Sequence, residues 1–274
     1  MRLIDYSPNI TIIAHREDTS RLVAALEQEG FCCTVQRQTH SPDQANFARS
    51  YLCFLNHVQA WQQVLDQQQP RIIIEADFVP VRGMGQLPLP FDASQDDVGL
   101  AWLYTCAAQI YNISPQGHAQ GYSSSMVAYL MTPRAVPPLL ALHAAIGQNP
   151  GPEHYYPWDS DLDKTLLAQG LRNYIPFRNY GEHGSDSPNP EHQRWGLGRT
   201  HRADVLYGPL AFEPAYGASE GFWLTRFWGR VRGLGRLGLG RFVRPQVLRN
   251  AQVPLRLVSF ALRRSSACGC DGMG

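Results

Sequence analysis

The sequence predicts an α/β domain with a mostly parallel central sheet flanked by helices, followed by a basic C-terminal tail. Three observations lead there. Strand and helix patterns alternate as β-α-β-α-β over residues 9–78, the order that builds a parallel sheet with helices on its faces. The apolar strands end abruptly in charged residues, at His15–Arg16 and at Glu75–Asp77. Charge is also divided unevenly: residues 1–218 carry 14 basic and 21 acidic side chains, and residues 219–274 carry 10 arginines and 2 acids.

Residues 9–15, NITIIAH, form the first expected strand. The next segment is helical by its Leu22, Ala25, Leu26 and Glu29 spacing, with Gly30 placed as a C-terminal cap. CCTVQRQ is the second strand. A longer helix over 45–68 sets Tyr51, Phe54, Leu55, Val58, Trp61 and Leu65 on one stripe. RIIIEADF is a third, buried strand. Further strands fall near 96–107, 126–131 and 171–177. One helix begins near Pro133, where a proline costs little, and another within PWDSDLDKTLLAQG is capped by Asp159 or Ser160 and ends near Gly170. From residue 178 the chain reads as loop, rich in Gly, Pro and Asn.

With 44% hydrophobic and 17% charged residues among 274, disorder and collagen are excluded. No apolar run of about 18 residues is present, so no membrane span is expected. The N-terminus lacks the pattern of a signal peptide, which gives a cytoplasmic expectation. The six cysteines match no zinc or redox spacing. Cys32, Cys33 and Cys53 read as buried thiols, and the Cys268–Cys270 pair as a frayed end or a lone metal-binding pair.

Glu75 and Asp77 are the first chemical candidates. On a strand, residues two apart share a face. Two carboxylates there repel unless solvent or a cation intervenes, and a divalent cation with oxygen ligands can bridge them to a diphosphate. An acidic strand end facing solvent is the plainer alternative. In open α/β sheets ligands bind at the carboxyl ends of strands, which favours the cation.

The segment SYLCFLNHVQAWQQVLDQQQPRIIIEADFVPV resembles glycosyltransferase family 25, the lipopolysaccharide and procollagen galactosyltransferase-like family. Cys53, His57 and Trp61 match that family's Cys-x-x-Ser-His helix and its following Trp, with Asn56 in place of the Ser. Glu75 and Asp77 match the outer acids of its Glu-Asp-Asp, with Ala76 in the middle. ITIIAHREDTSRLVAALEQEGF, GYSSSMVAYLMTPRAVPPLL and PWDSDL resemble further blocks in the right order, over about residues 9–190.

The resemblance implies a Rossmann-like, A-type glycosyltransferase domain over 1–218. It implies a hexosyltransferase that moves a sugar, galactose for example, from a nucleoside diphosphate donor, UDP-linked, to a glycan or lipopolysaccharide-type acceptor. Mn²⁺ or Mg²⁺ would be held by Asp77 and Glu75. His15 and Arg16 would meet the nucleotide, a guanidinium being suited to phosphate; Arg16 as an ordinary surface residue is the alternative. Arg21 is a helix-surface residue or a supporting partner behind the nucleotide contacts. His57 is either structural or part of the donor site. Asp159 is a base for the acceptor hydroxyl or a helix N-cap, with Asp161 competing. His183 completes the metal shell or is an exposed loop residue. Ser123, Ser124 and Ser125 bind sugar hydroxyls or simply form a turn.

The 219–274 tail is read as membrane-associating or disordered, its glycines weakening any helix. Arginines interleaved with aromatics suit anionic lipid at the inner face of a membrane in preference to nucleic acid. Ala76 also allows a non-catalytic nucleotide- or glycan-binding relative with a decayed acidic motif.

Overall fold

The computed structural model describes residues 1–186 and 202–266. A single-turn α1 (Leu3–Tyr6) precedes β1 (Asn9–Ala14), α2 (Ser20–Gln28), β2 (Cys32–Arg37), α3 (Arg49–Gln67) and β3 (Arg71–Glu75). There follow β4 (Phe78–Pro80), β5 (Val98–Trp102), β6 (Gln109–Ile113), β7 (Ala119–Tyr122) and β8 (Ala128–Met131). Next come α4 (Val136–Gln148), α5 (Leu162–Ala168), β9 (Arg172–Ile175) and β10 (Gly181–His183). The chain then enters α6 (Phe222–Gly238), α7 (Pro245–Asn250) and α8 (Pro254–Ser266).

Eight strands form one sheet in the order β2-β1-β3-β8-β5-β9-β7-β6. The β1–β2, β1–β3 and β5–β9 pairs are parallel, whereas β3–β8, β5–β8, β7–β9 and β6–β7 are antiparallel. The sheet is therefore mixed, which corrects the expectation of a mostly parallel one. Parallel neighbours need a crossover of a dozen or more residues. Helices supply that in the first half, but β5 to β8 follow one another through short connections that cannot hold one.

The strand alternation distributes the core to both faces. Ile10, Ile12, Ile72 and Ile74 pack with Leu22 and Leu26 of α2, while Ile13 and Ile73 pack with Phe54, Trp61 and Val64 of α3. The β-branched run of β3 is thus buried on both sides, as its near-continuous apolarity required. Gly30 takes φ +93° after α2, as the cap reading expected.

RIIIEADF is not one strand. Strand β3 stops at Glu75, Ala76 and Asp77 form a turn, and β4 begins at Phe78. Strand β4 pairs antiparallel with β10, with His183 opposite Phe78. The segment read as loop from residue 178 thus contains a strand. Two glycines make room for it. A Cβ on Gly181 would collide with the Phe78 ring and the Val79 carbonyl, and one on Gly184 would lie 2.9 Å from the Asp77 carbonyl oxygen.

The Arg-rich segment is helical from Phe222 to Ser266 apart from its connections. Glycines on one face of α6 permit this. A Cβ on Gly229 would lie 2.8 Å from the Ala203 carbonyl, and one on Gly233 would lie 2.6 Å from Asp204 Cβ. The loss of side chains there lets the helix backbone seat directly on residues 203–204. Arg226 forms a buried ion pair with Glu182, and Arg264 reaches Asp204. Leu257, Phe260 and Ala261 of α8 join the core. Cys268 and Cys270 lie outside the described residues. Among the described residues, no helix is long and apolar enough to cross a membrane.

Candidate active site

The site lies at the carboxyl ends of β1 and β3. The turn after β3 is fixed by backbone hydrogen bonds: Glu75 N–H donates to Val127 O at 2.8 Å, and Ala76 N–H to Ile13 O at 2.9 Å. Gly184 N–H donates to Asp77 O at 2.7 Å, tying the end of β10 to the same turn. Glu75, Asp77 and His183 each offer a ligand atom, and these atoms all lie within 4.8 Å of one another. The pairing of β4 with β10, rather than a shared strand face, sets this arrangement.

His183 Nε2 is 2.9 Å from Asp77 Oδ2. Burial alone disfavours the imidazolium, but the Asp77 carboxylate more than offsets it, so the His183 pKa is raised to about 9. Burial likewise pushes the Asp77 carboxyl up, while His183 brings it below its ordinary value. The other oxygen, Asp77 Oδ1, is buried with no hydrogen-bond partner. A buried acceptor without a partner is costly, and a cation would satisfy it. The exposed loop reading of His183 is corrected: its side chain is 18% exposed, at the end of a strand.

Glu75 is held from behind. His57 Nε2 lies 3.2 Å from Glu75 Oε1, and His57 Nδ1 lies 2.8 Å from the Tyr129 hydroxyl. Trp61 Nε1–H donates to that same hydroxyl at 2.8 Å. An indole can only donate. The Glu75 carboxylate can only accept, so His57 Nε2–H donates to it, and Nδ1 of the neutral ring accepts from the Tyr129 hydroxyl. Trp61 and His57 stand out in the sequence; Tyr129 does not, because a tyrosine in a core strand gives no functional signal. Cys53 Sγ stands 3.9 Å from Glu75 Oε1. Burial first, then the charges of Glu75, Asp159 and Asp77, keep its thiol protonated well above the ordinary range.

Asp159 lies in a single turn, Trp158–Ser160, before α5. It does not cap that helix. The N-cap of α5 is Asp161, which makes no side-chain capping bond. Burial, with the neighbouring charge of Glu75 as a lesser contribution, raises the Asp159 pKa to about 7. Asp161 is engaged elsewhere, accepting from the Tyr156 hydroxyl and lying 3.6 Å from Lys164 Nζ.

A cleft of about 650 Å³ opens over this turn, with His15, Arg16, Gln38, Glu75, Ala76 and Asp77 among its walls. His15 stacks on His40 with ring centroids 4.6 Å apart, and its Nδ1 is 3.1 Å from Gln38 O. His40 is a second residue the sequence did not single out. Arg16 is exposed at the rim. The fold thus brings His15, Arg16, His57, Glu75, Asp77, Asp159 and His183 to one region and leaves Asp161 aside. Arg21 is exposed on α2. Ser123 is fully buried, donating to Cys106 O at 2.8 Å and accepting from Cys106 N–H at 3.2 Å.

A second cavity, of about 690 Å³, is lined by Cys106, Arg202, Arg232, Arg236, Arg241 and Arg264 among others. It touches the first site through two residues. Arg202 Nη1 donates to His183 O at 2.8 Å, and Cys106 is close enough to Asp159 to feel its charge.

No protein-family model matches the chain, and no curated protein matches it. Among solved structures it is similar to a glycosyltransferase involved in the glycosylation of the major capsid of PBCV-1. That likeness has a TM-score of 0.39 at 10% identity, over 61% of this chain and 80% of that one.

Proposed function

We propose that the protein is a hexosyltransferase using a nucleoside diphosphate sugar, UDP-linked, and a glycan or lipopolysaccharide-type acceptor in the cytoplasm. One observation carries this reading. Glu75, Asp77 and His183 converge beside a cleft at the strand ends, and Asp77 Oδ1 is buried there without a hydrogen-bond partner. Two carboxylates and an imidazole suit Mn²⁺ or Mg²⁺, so the residues present fit a divalent cation despite Ala76. When bound, such a cation supplies positive charge to the donor diphosphate. Asp77, Glu75 and His183 would hold it.

The chain's own residues do the rest. Arg16 at the cleft rim contributes two-pronged contacts to phosphate oxygens, and His15 with its stacked His40 forms one wall. The Trp61–Tyr129–His57 relay fixes the Glu75 carboxylate. Asp159 acts on the acceptor. The acceptor oxygen bonds to the anomeric carbon, the bond from that carbon to the diphosphate oxygen breaks, and Asp159 takes the hydroxyl proton. A base with a pKa of about 7 is matched to neutral pH. The arginine-lined cavity, joined to the first site through Arg202 and His183, is the acceptor's place in this scheme.

The test is donor hydrolysis, with and without Mn²⁺, for the wild type and Asp77→Asn. The reading expects Mn²⁺-dependent turnover that Asp77→Asn abolishes. Full activity in the variant, or in excess chelator, would overturn the metal role. Absence of Mn²⁺-dependent binding of any nucleotide sugar would leave a non-catalytic relative, as Ala76 allows.

A further inference from the structure

Helix α6 is built inside out. Its inward face carries Thr225, Arg226, Gly229 and Gly233, seated on the domain. Its outward face carries Trp223, Leu224, Phe227, Trp228, Val231 and Leu234, which are 38–62% exposed. At 3.6 residues per turn these six side chains share an arc of about 140°, with Arg230 and Arg232 on its two borders. Helix α8 repeats the device with exposed Leu255, Val258 and Leu262 bordered by Arg256 and Arg263. The two helices adjoin, since Arg230 Nη2 donates to Ser265 O at 2.9 Å. An ordinary surface helix turns such a stripe inward. An apolar patch rimmed by polar residues marks an interaction surface.

Charge identifies what covers it. Residues 221–266 contain ten arginines and no Asp or Glu. Arg226 and Arg264 are ion-paired to Glu182 and Asp204. Arg232, Arg241, Arg244, Arg249, Arg256 and Arg263 are exposed. A second copy of this face would set arginines against arginines. A surface apolar beneath and anionic above matches both parts of the pattern, with tryptophans at the level where amphipathic rings settle.

We propose that the outward faces of α6 and α8 dock on an anionic lipid bilayer, with α6 lying in the plane of the interface. The indole, phenyl and leucyl groups enter the acyl boundary, and the flanking guanidinium groups pair with lipid phosphates. This anchors the domain without a membrane-spanning segment, and it is independent of the transfer chemistry.

The experiment uses the full chain and vesicles of phosphatidylcholine alone or of equal parts phosphatidylcholine and phosphatidylglycerol. The wild type should co-sediment with the anionic vesicles, less so as salt rises, and its tryptophan emission should shift to the blue. The triple variant Trp223→Ser, Phe227→Ser, Trp228→Ser should bind them at least about tenfold less. Because those residues are exposed, its melting temperature and its Mn²⁺-dependent donor hydrolysis in solution should match the wild type. Wild-type protein left in the supernatant, equal binding to neutral vesicles, or undiminished binding by the triple variant would each overturn the proposal. So would a dimer in solution that the triple variant abolishes while vesicles are ignored. Loss of donor hydrolysis in every form would count against the transferase reading and not against docking.

Discussion

His183 Nε2 lies 2.9 Å from Asp77 Oδ2, although 106 residues separate them in the chain. Neither residue reaches that position alone. Strand β3 must stop at Glu75 so that Asp77 turns, and β10 must pair with β4 so that His183 follows it. The candidate metal site is therefore a product of the small two-stranded sheet, and its properties can be tested through the residues that build it.

Asp159 provides the first prediction. With its pKa raised to about 7 by burial, turnover in the proposed transfer reaction should rise with pH through about 7 as the carboxylate forms. Asp159→Asn should lower turnover by roughly 10²–10⁴-fold, the usual worth of a positioned base, and leave donor binding intact. A pH–rate profile of both proteins checks this.

The same group gives a stability prediction. Between the ordinary carboxyl pKa of 3.8 and about 7, the folded protein holds a proton at Asp159 that the unfolded chain has lost. Stability contributed at this position therefore falls as pH rises through that window and stays low above it. Asp159→Asn removes the cost, so it should melt above the wild type at pH 8 and approach it near pH 4. Thermal melts across that range measure the difference.

The glycines of α6 divide into two kinds. Gly233→Ala should destabilise by about 1–3 kcal/mol, because its Cβ would overlap Asp204. Gly235→Ala, where nothing lies within 4 Å, should stabilise by about 0.5–1 kcal/mol through helix propensity. Opposite signs from one substitution two residues apart, read by denaturant unfolding, separate packing from propensity.

Glu182 and Arg226 form an ion pair with both side chains essentially buried. Glu182 Oε1 also accepts from the backbone N–H of His183 and of Ala203, at 3.0 and 2.8 Å. Arg226→Met leaves a buried carboxylate without its cation and should cost about 3–5 kcal/mol. Adding Glu182→Gln should recover a large share. Equilibrium unfolding of the two variants tests the coupling.

Much of this was readable before the fold. The isoleucines of β3 signal a strand buried on both faces, and the helical stripe of Phe54, Trp61 and their neighbours settles α3. Glu75 and Asp77 stand at a strand end, which is where a ligand site belongs. What could not be read depends on distant partners. His183 sits among Gly181 and Gly184, residues that signal a loop locally; they are needed because Phe78, Val79 and the Asp77 carbonyl pack against their backbone. Gly229 and Gly233 weaken a helix in isolation and give α6 its close seat in the protein. Tyr129 is a core residue by pattern and a relay by position. The antiparallel half of the sheet follows from connections too short for helices, a matter of spacing that the strand patterns alone did not convey.

In the proposed function Asp77, with Glu75 and His183, holds a divalent cation that carries the donor diphosphate. Calorimetric titration of UDP in the presence of Mn²⁺ tests it most directly, for the wild type, Asp77→Asn and His183→Ala. The expected result is Mn²⁺-dependent binding by the wild type, lost in Asp77→Asn and weakened about 10–100-fold in His183→Ala. Binding of equal strength in the wild type and Asp77→Asn, or in the presence of excess chelator, would contradict it.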